Sequence, residues 1–213
     1  MTLMPLPLRL LRKASLLVLV LLVLGSTVSC GQDDTDALLD AMEISEGDWV
    51  ADVGSGDGDY TIPMAERVGP SGRVFAVDID ADALDELNDR LHENEIEHVT
   101  SVYSVEENPM LPTAGFDAIL VRNAYHHFTA HERMLRHIKS ALKPDGRLVI
   151  EESIEENMIG KSRAEQVDNH DLGIEYVRKE LNAAGFTIET EVNPLMETNW
   201  GVYWMIVATR PAR

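Results

Sequence analysis

Short apolar runs alternate with segments of helical periodicity along most of the chain. Apolar runs predict strands, whereas leucines spaced three or four residues apart, as at Leu84, Leu87 and Leu91, predict helices. The seven predicted strands are 48–53, 72–80, 98–103, 116–121, 147–153, 187–192 and 201–209. The five predicted helices are 33–44, 60–68, 81–96, 131–142 and 173–186.

The order of these elements predicts the fold class. Continuous apolar strands such as 74–77 are typical of a parallel sheet that is buried on both faces. Strands that alternate with helices predict a doubly wound α/β domain. The last two strands follow each other without a helix, and we expect a turn near Asn193 and Pro194. The prediction is therefore an α/β fold with a mostly parallel seven-stranded sheet that ends in an antiparallel hairpin.

The first thirty residues have the pattern of an export signal. Three basic residues, Arg9, Arg12 and Lys13, precede the apolar run 14–24, and small residues follow up to Cys30. The apolar run is shorter than the ~20 residues of a membrane-spanning helix. We predict a signal peptide over 1–29, while an uncleaved anchor stays possible if the run extends into the preceding leucines.

Cys30 is the one cysteine of the chain, so no internal disulfide can form. Its position resembles a bacterial lipoprotein processing site, which Val28 and Ser29 fit and Thr27 does not. We predict that Cys30 carries the lipid, that 30–36 is the linker, and that 37–213 is the catalytic domain at the cell envelope. Ordinary signal cleavage that leaves a free thiol is the alternative.

The charge of the chain narrows the range of partners. The formal net charge is −19, and no local basic patch stands out along the sequence. So acidic a surface repels the phosphates of nucleic acids. We therefore expect no nucleic-acid partner, and the predicted membrane contact rests on the lipid alone.

Four motifs occur in order at regular spacing, namely 50–58 (VADVGSGDG), 74–80 (VFAVDID), 116–128 (FDAILVRNAYHHF) and 142–150 (LKPDGRLVI). Together they resemble the class I S-adenosylmethionine-dependent methyltransferases, and the resemblance covers about 37–209. It implies a Rossmann-like methyltransferase fold with S-adenosylmethionine as the cofactor.

The glycine loop argues against a dinucleotide. A dinucleotide loop reads G-x-G-x-x-G, whereas here the third glycine position holds Asp59. A carboxylate ~4 Å from a pyrophosphate would cost about 4 kcal/mol at an effective dielectric of 20. S-adenosylmethionine instead carries a sulfonium and an ammonium group. The predicted loop contacts to the cofactor are Gly54, Ser55, Gly56, Asp57 and Gly58. Alternatively, Asp57 and Asp59 only cap the following helix.

The resemblance implies roles for the residues that end the neighbouring strands. Asp52 would face the methionine amino group, Asp78 would accept the ribose hydroxyls, and Ile79 would pack on the adenine. The usual Gly-Asp pair after the third strand is missing, so Ser104 and Glu106 are the candidates for the adenine amine. A separate expectation is that Asp80 and Asp82 cap the helix that begins near Ala81.

The loop after the fourth strand, 122–128, lies beside the transferred methyl group in the resembling fold. Its candidate catalytic residues are Asn123, Tyr125 and His126, with His126 as the general base because histidine as a residue type ordinarily has a pKa near neutrality. Tyr125 equally fits closure of the cofactor pocket, and one histidine of the pair His126 and His127 fits a packing role.

Other catalytic chemistries find less support. His127 and His131 have a spacing that a metal can use, but the zinc protease pattern H-E-x-x-H fails at Leu135, and we predict no metal site. Ser55 does not occupy the nucleophile position of G-x-S-x-G.

The predicted function is methyl transfer to a small or lipid-like acceptor. Only a short insert, about 153–172, is available as a substrate lid, with Asn169 and His170 near the pocket. One alternative is a surface lipoprotein that binds S-adenosylmethionine without catalysis, and another is a protein-carboxyl (isoaspartyl-type) methyltransferase. An enzyme of the cytoplasm is expected only if translation starts after the leader.

Overall fold

The computed structural model describes residues 30–212, which form one seven-stranded mixed sheet with helices on both faces. The strand order is β3-β2-β1-β4-β5-β7-β6, and β7 alone runs antiparallel to both of its neighbours. The strands are β1 Trp49–Val53, β2 Arg73–Asp78, β3 Val99–Tyr103, β4 Phe116–Arg122, β5 Leu142–Glu155, β6 Thr187–Glu197 and β7 Gly201–Thr209. The predicted fold class is confirmed, including the antiparallel hairpin at the end.

The described residues contain six α-helices, of which the first precedes β1: α1 Cys30–Met42, α2 Thr61–Val68, α3 Ala81–Glu93, α4 His131–Ala141, α5 Arg163–Asp168 and α6 Ile174–Ala184. Two 3₁₀ turns, Tyr125–His127 and Glu156–Met158, follow the ends of β4 and β5. Asp80 caps α3 by accepting hydrogen bonds from the backbone N–H groups of Asp82 and Ala83, which confirms its predicted capping role.

Alternate residues of the central strands enter two different cores. Val50 and Ala118 pack with the apolar residues of α1 and α2, whereas Ala51 and Ile119 pack with those of α4 and α6. All four side chains are almost completely buried. The burial of both faces explains why β1 and β4 are mainly apolar in sequence.

The final hairpin turns later than the sequence pattern predicts. Strand β6 continues through Pro194 to Glu197, and the turn follows at 198–200, where the Thr198 hydroxyl accepts N–H bonds from Trp200 and Gly201. The register between β6 and β7 shifts between Val192 and Met196, so Pro194 lies in an irregular stretch of an edge strand. Proline lacks a backbone N–H and is tolerated at such positions, which is why it does not end the strand.

The predictions for 1–29 lie outside the described residues. Residues 30–36, predicted as the linker, form the beginning of α1. Within 30–212, none of the helices combines the length and the apolar character that a bilayer-spanning segment requires.

Candidate active site

A cleft of about 510 Å³ opens at the carboxyl ends of β1, β2 and β4. The strand order reverses between β1 and β4, and in open α/β sheets ligands bind outside the strand ends at such a switch point. The lining residues are Val53, Gly54, Gly56, Asp78, Ile79, Ser104, Glu106, Asn123, Ala124, His127, Phe128, Thr129 and Met134. None of these lining residues is a lysine or an arginine.

The glycine loop after β1 forms the floor of the cleft. Its backbone is tied to β2, because the N–H groups of Gly54 and Ser55 both donate to the carbonyl oxygen of Val77. Gly54 has a φ of 84°, and a Cβ added there would lie 2.3 Å from the Cβ of Ala124. The loop after β4 therefore packs so closely against Gly54 that no side chain larger than a hydrogen atom fits there.

Asp78, at the end of β2, holds the glycine loop in place. One carboxylate oxygen accepts from the N–H of Gly56 at 2.8 Å, and the other accepts from the N–H of Asp80 at 2.9 Å. Each carboxylate oxygen can accept a second hydrogen bond. Asp78 therefore fixes the loop and still has acceptor capacity for a ligand in the cleft.

The two other aspartates of the loop point elsewhere. The Arg90 guanidinium of α3 lies 3.0 Å from a carboxylate oxygen of Asp57 and 3.1 Å from one of Asp59. Arg90 also donates to the backbone carbonyl of Asp57. The alternative that these aspartates cap α2 is wrong, because the preceding residue is Tyr60 and no side chain caps this helix.

Asp52 lies beneath the loop rather than in the cleft. It is 2% exposed, and its carboxylate accepts a hydrogen bond from the Thr61 hydroxyl at 2.7 Å. Burial raises the pKa of Asp52 from 3.8 to about 6, and the negative charge of Asp78 adds to the rise. The Thr61 hydrogen bond and the positive charge of Arg122 act in the opposite direction.

The β3 side of the cleft carries the two residues predicted near the adenine. Ser104 is buried, and its backbone N–H donates to the carbonyl oxygen of Asp78. Glu106 faces Thr129 across the cleft, with the Thr129 hydroxyl 3.4 Å from a Glu106 carboxylate oxygen. Both side chains line the cleft beside Ile79, which is half exposed.

The polar residues after β4 divide between the cleft and the core. Asn123 and His127 line the cleft, and Asn123 has a left-handed backbone with a φ of 46°. Tyr125 is fully buried, and its hydroxyl donates to Glu180 of α6 at 2.9 Å. Burial, with the Glu180 charge, raises the pKa of Tyr125 well above its ordinary value, so the phenol stays protonated.

His126 is buried and held by one acidic residue. Glu152 of β5 accepts from the backbone N–H of His126 at 3.1 Å, and its other oxygen lies 2.9 Å from the ring nitrogen Nδ1. The His126 ring packs against the rings of His127 and His170, with centroid distances of 4.0 Å and 5.7 Å. His170 comes from the 153–172 insert, which brings a third histidine to the pair.

The residue pair with metal-ligand spacing does not converge. His131 turns toward Glu180, with 3.5 Å between its Nε2 and a carboxylate oxygen, whereas His127 packs on His170 at a centroid distance of 5.4 Å. Partial burial, together with the charges of His126 and His170, lowers the pKa of His127 below its ordinary value.

Comparison with known proteins identifies the family. The family model described as "Methyltransferase domain" matches residues 44–199, which is most of the chain. The chain belongs to this methyltransferase family. The predicted enzyme class, an S-adenosylmethionine-dependent methyltransferase domain, and the predicted cofactor are thereby confirmed for this domain.

The curated relatives of this methyltransferase domain are longer proteins. A demethylmenaquinone methyltransferase of Anoxybacillus flavithermus is 29% identical over 119 residues, which are 56% of this chain and 50% of that protein. A ubiquinone/menaquinone biosynthesis C-methyltransferase of Bordetella parapertussis is 34% identical over 101 residues, 47% of this chain and 39% of that protein. The chain thus matches about half or less of the length of these relatives.

Solved structures share the fold of this methyltransferase domain. A SAM-dependent methyltransferase from Aquifex aeolicus superposes with a TM-score of 0.70 over 83% of this chain and 89% of that chain, at 22% sequence identity. At this identity the likeness concerns the fold alone.

The structure brings most of the predicted cofactor residues of the methyltransferase to one cleft. The predicted cofactor residues that line it are Gly54, Gly56, Asp78, Ile79, Ser104 and Glu106, and those outside the lining are Asp52, Ser55, Asp57 and Gly58. Of the predicted catalytic residues, Asn123 lines the cleft, whereas Tyr125 and His126 do not. The sequence did not predict that Phe128 and Met134 line the cleft. No local sequence pattern distinguishes these apolar residues from residues of the core.

Replacing Asp52 with asparagine is expected to stabilise the methyltransferase at neutral pH and not in acid. Burial raises the pKa of Asp52 in the folded state above its value of 3.8 in the unfolded chain. Ionising the buried carboxyl group therefore destabilises the folded state fully above about pH 6 and not at all below pH 3.8. A shift of this size corresponds to about 3 kcal/mol. Urea unfolding of Asp52→Asn and wild type at about pH 4 and about pH 7.5 measures the difference.

The comparison between the two pH values separates titration from packing. Any packing change in Asp52→Asn acts at both pH values, whereas the ionisation cost acts only at the higher one. The exposed Asp89→Asn serves as the control and should show no such difference. An equal effect of Asp52→Asn at both pH values would contradict the raised pKa.

Proposed function

We propose that this chain is an S-adenosylmethionine-dependent methyltransferase that methylates a small, largely apolar or lipid-like acceptor. The observation that carries the proposal is the cleft, whose lining holds the acids Asp78 and Glu106 and neither lysine nor arginine. A pyrophosphate would find no lysine or arginine to neutralise it there, whereas a cofactor with sulfonium and ammonium groups is attracted. This argument holds although Arg90 pairs with Asp57 and Asp59, because neither aspartate lines the cleft.

The cleft residues give the cofactor a defined orientation. The ribose hydroxyls would donate to the Asp78 carboxylate, which the N–H of Gly56 already orients. The adenine would pack on Ile79, with Ser104 and Glu106 near its amine. Asp52 would act from below the loop as a negative charge near the methionine ammonium group, through the loop backbone or a water molecule.

The other side of the cleft suits an apolar acceptor. Phe128 and Met134 provide an apolar wall, and Asn123 and His127 provide polar side chains beside it. Methyl transfer requires mainly that the acceptor atom lies in line with the sulfonium carbon, so positioning can supply much of the rate. Glu152 holds the His126 ring in the core. His126 would therefore position His127 and would not itself contact the acceptor.

The relatives suggest which acceptors to test first. One curated relative is named a demethylmenaquinone methyltransferase and another a ubiquinone/menaquinone biosynthesis C-methyltransferase. Menaquinones and ubiquinones are ring compounds with lipid tails. We therefore propose a quinone-like or similar aromatic ring as the acceptor class. Small-molecule acceptors agree with the short 153–172 insert, the one segment between β5 and α6 that is available to cover the cleft.

A labelled methyl group tests the proposed function. The full chain, purified in mild detergent, is incubated with methyl-labelled S-adenosylmethionine and a demethylated quinone or a cell-envelope lipid extract. We expect label in the organic phase, a large loss with His127→Ala, and no change with His137→Ala, which is exposed on α4. Cofactor binding without label in any fraction would favour a silent binding protein, and label on protein carboxyls would favour the isoaspartyl-type alternative.

We further propose that the enzyme is exported and anchored at the cell envelope through Cys30. The proposal rests on the basic, apolar and small-residue pattern of 1–30. Several acyl chains would hold the protein stably on a bilayer. Mass spectrometry of the native N-terminus should find a lipid-modified Cys30. An N-terminus near Cys30 with a free thiol would contradict the lipid anchor and indicate ordinary signal cleavage. An unmodified start within the leader would contradict export, and translation that starts beyond Cys30 would indicate a cytoplasmic enzyme.

A further inference from the structure

Three histidines converge at the edge of the cleft from two distant parts of the chain. His126 and His127 follow β4, and His170 follows α5. One potential ligand nitrogen from each ring lies within 4.8 Å of the other two. Among the described side chains, those of residues 35–212, no other group of three histidine, cysteine or acidic residues comes together in this way.

We propose that His126, His127 and His170 bind a divalent transition metal of the zinc type. In a tetrahedral zinc site with Zn–N bonds of about 2.0–2.1 Å, neighbouring nitrogens are separated by about 3.3 Å. The ligand nitrogens therefore have to approach one another by about 1.5 Å at most from the observed separation of up to 4.8 Å. His127 and His170 are both exposed, so their side chains can move by this amount without disturbing the core.

Glu152 is the independent feature that points to a metal ligand. Its carboxylate accepts from the backbone N–H of His126 and lies 2.9 Å from Nδ1 of the same ring. A carboxylate accepts hydrogen bonds, so Nδ1 carries the proton and Nε2 keeps its lone pair. Metal-binding histidines almost always donate their second ring nitrogen to a carboxylate, a carbonyl oxygen or water, which fixes the tautomer and the ring.

Burial and charge also suit a cation at this place. His126 and Glu152 are buried, while His127 and His170 face solvent, which leaves a path for the metal to enter. The Glu152 charge and the Asp78 charge both act on His127. Three neutral imidazoles with nearby carboxylates would therefore compensate the charge of the ion.

Three protein ligands leave a fourth position open. In catalytic zinc sites this position holds water or substrate, whereas structural sites fill it with a protein side chain. His127 also lines the cleft, so the metal would lie at the cleft wall. Its proximity to the methyl acceptor rests on the proposed function, but the metal site itself does not.

Calorimetric titration with zinc chloride tests the site in the full chain, purified in detergent without a polyhistidine tag. We expect one zinc ion per chain, and a loss of affinity of at least about tenfold in His127→Ala and in His170→Ala. Both residues are exposed, so neither variant should lose its fold. His137→Ala is the matched control, since this histidine is exposed on α4 and outside the cluster, and it should bind zinc like the wild type.

Two further results bear on the proposal. Glu152→Gln should weaken zinc binding by about tenfold to a hundredfold, since it acts through the His126 ring. Equal zinc binding by wild type, His127→Ala, His170→Ala and His137→Ala, or no binding by wild type, would overturn the metal site. Zinc is titrated without S-adenosylmethionine, so a failure of methyl transfer leaves this result unaffected.

Discussion

Replacing Asp78 with alanine is expected to weaken S-adenosylhomocysteine binding by about a hundredfold or more. The substitution removes the proposed acceptor for the ribose hydroxyls and also frees the N–H of Gly56, which Asp78 holds at 2.8 Å. A hydrogen bond to a charged group contributes about 1.5–3 kcal/mol, and 1.4 kcal/mol corresponds to a factor of ten in affinity. Isothermal titration of both proteins with S-adenosylhomocysteine measures the change.

Asp57→Ala is the matched control for this experiment. Asp57 lies in the same loop, but its carboxylate pairs with Arg90 and does not line the cleft. We expect its affinity to stay within about threefold of the wild type, in keeping with the small contribution of exposed ion pairs. An equal loss in Asp57→Ala and Asp78→Ala would mean that the cofactor lies on the Arg90 side of the loop.

Gly54→Ala is expected to destabilise the folded protein far more than Gly56→Ala. Both glycines have positive φ angles, 84° and 52°, so both substitutions carry backbone strain. A Cβ at Gly54 would meet the Ala124 Cβ at 2.3 Å, whereas a Cβ at Gly56 would have no neighbour within 4 Å. We expect a loss of about 3 kcal/mol or more for Gly54→Ala and about 1 kcal/mol for Gly56→Ala.

Urea unfolding of the two variants separates the clash from the strain. Both variants carry strain from a positive φ, and the part of the Gly54→Ala loss that a second substitution at Ala124 relieves reports the contact between Gly54 and Ala124. The double variant Gly54→Ala with Ala124→Gly should recover a large part of the loss, because it removes the atom that clashes. Equal destabilisation by Gly54→Ala and Gly56→Ala would contradict the close approach of the two loops.

The sheet and much of the cleft follow from local sequence patterns. Apolar runs placed all seven strands, and the loop and strand-end residues Gly54, Gly56 and Asp78 meet because parallel strands end at the same edge of a sheet. Asp80 was predictable as a helix cap because capping depends on neighbours along the chain.

Contacts between distant segments were not predictable in this way. The aspartates of the glycine loop pair with Arg90, 31 residues beyond Asp59, and no local pattern of α3 reveals which way that side chain points. His126 looked accessible because its loop is polar, yet Glu152 of the neighbouring strand draws it into the core. The end of β6 was misplaced since an edge strand tolerates Pro194, which a central strand would not.

The histidine cluster was likewise not predictable from local sequence patterns. The sequence spacing drew attention to His127 and His131, but His131 turns to Glu180 of α6 and lies outside the cluster. His170, which was expected only near the pocket, completes the group because the insert folds back over the end of β4. Its left-handed backbone, with a φ of 59°, is a tertiary feature with no sequence signal at a histidine.

The central claim is that the cleft of this methyltransferase domain takes a sulfonium nucleoside and not a phosphate cofactor. Calorimetric titration of the full wild-type chain with S-adenosylhomocysteine and, separately, with NAD tests it most directly. Saturable binding of one S-adenosylhomocysteine per chain, with no saturable binding of NAD at the same concentrations, is the predicted result. Saturation by NAD and indifference to S-adenosylhomocysteine would contradict the claim.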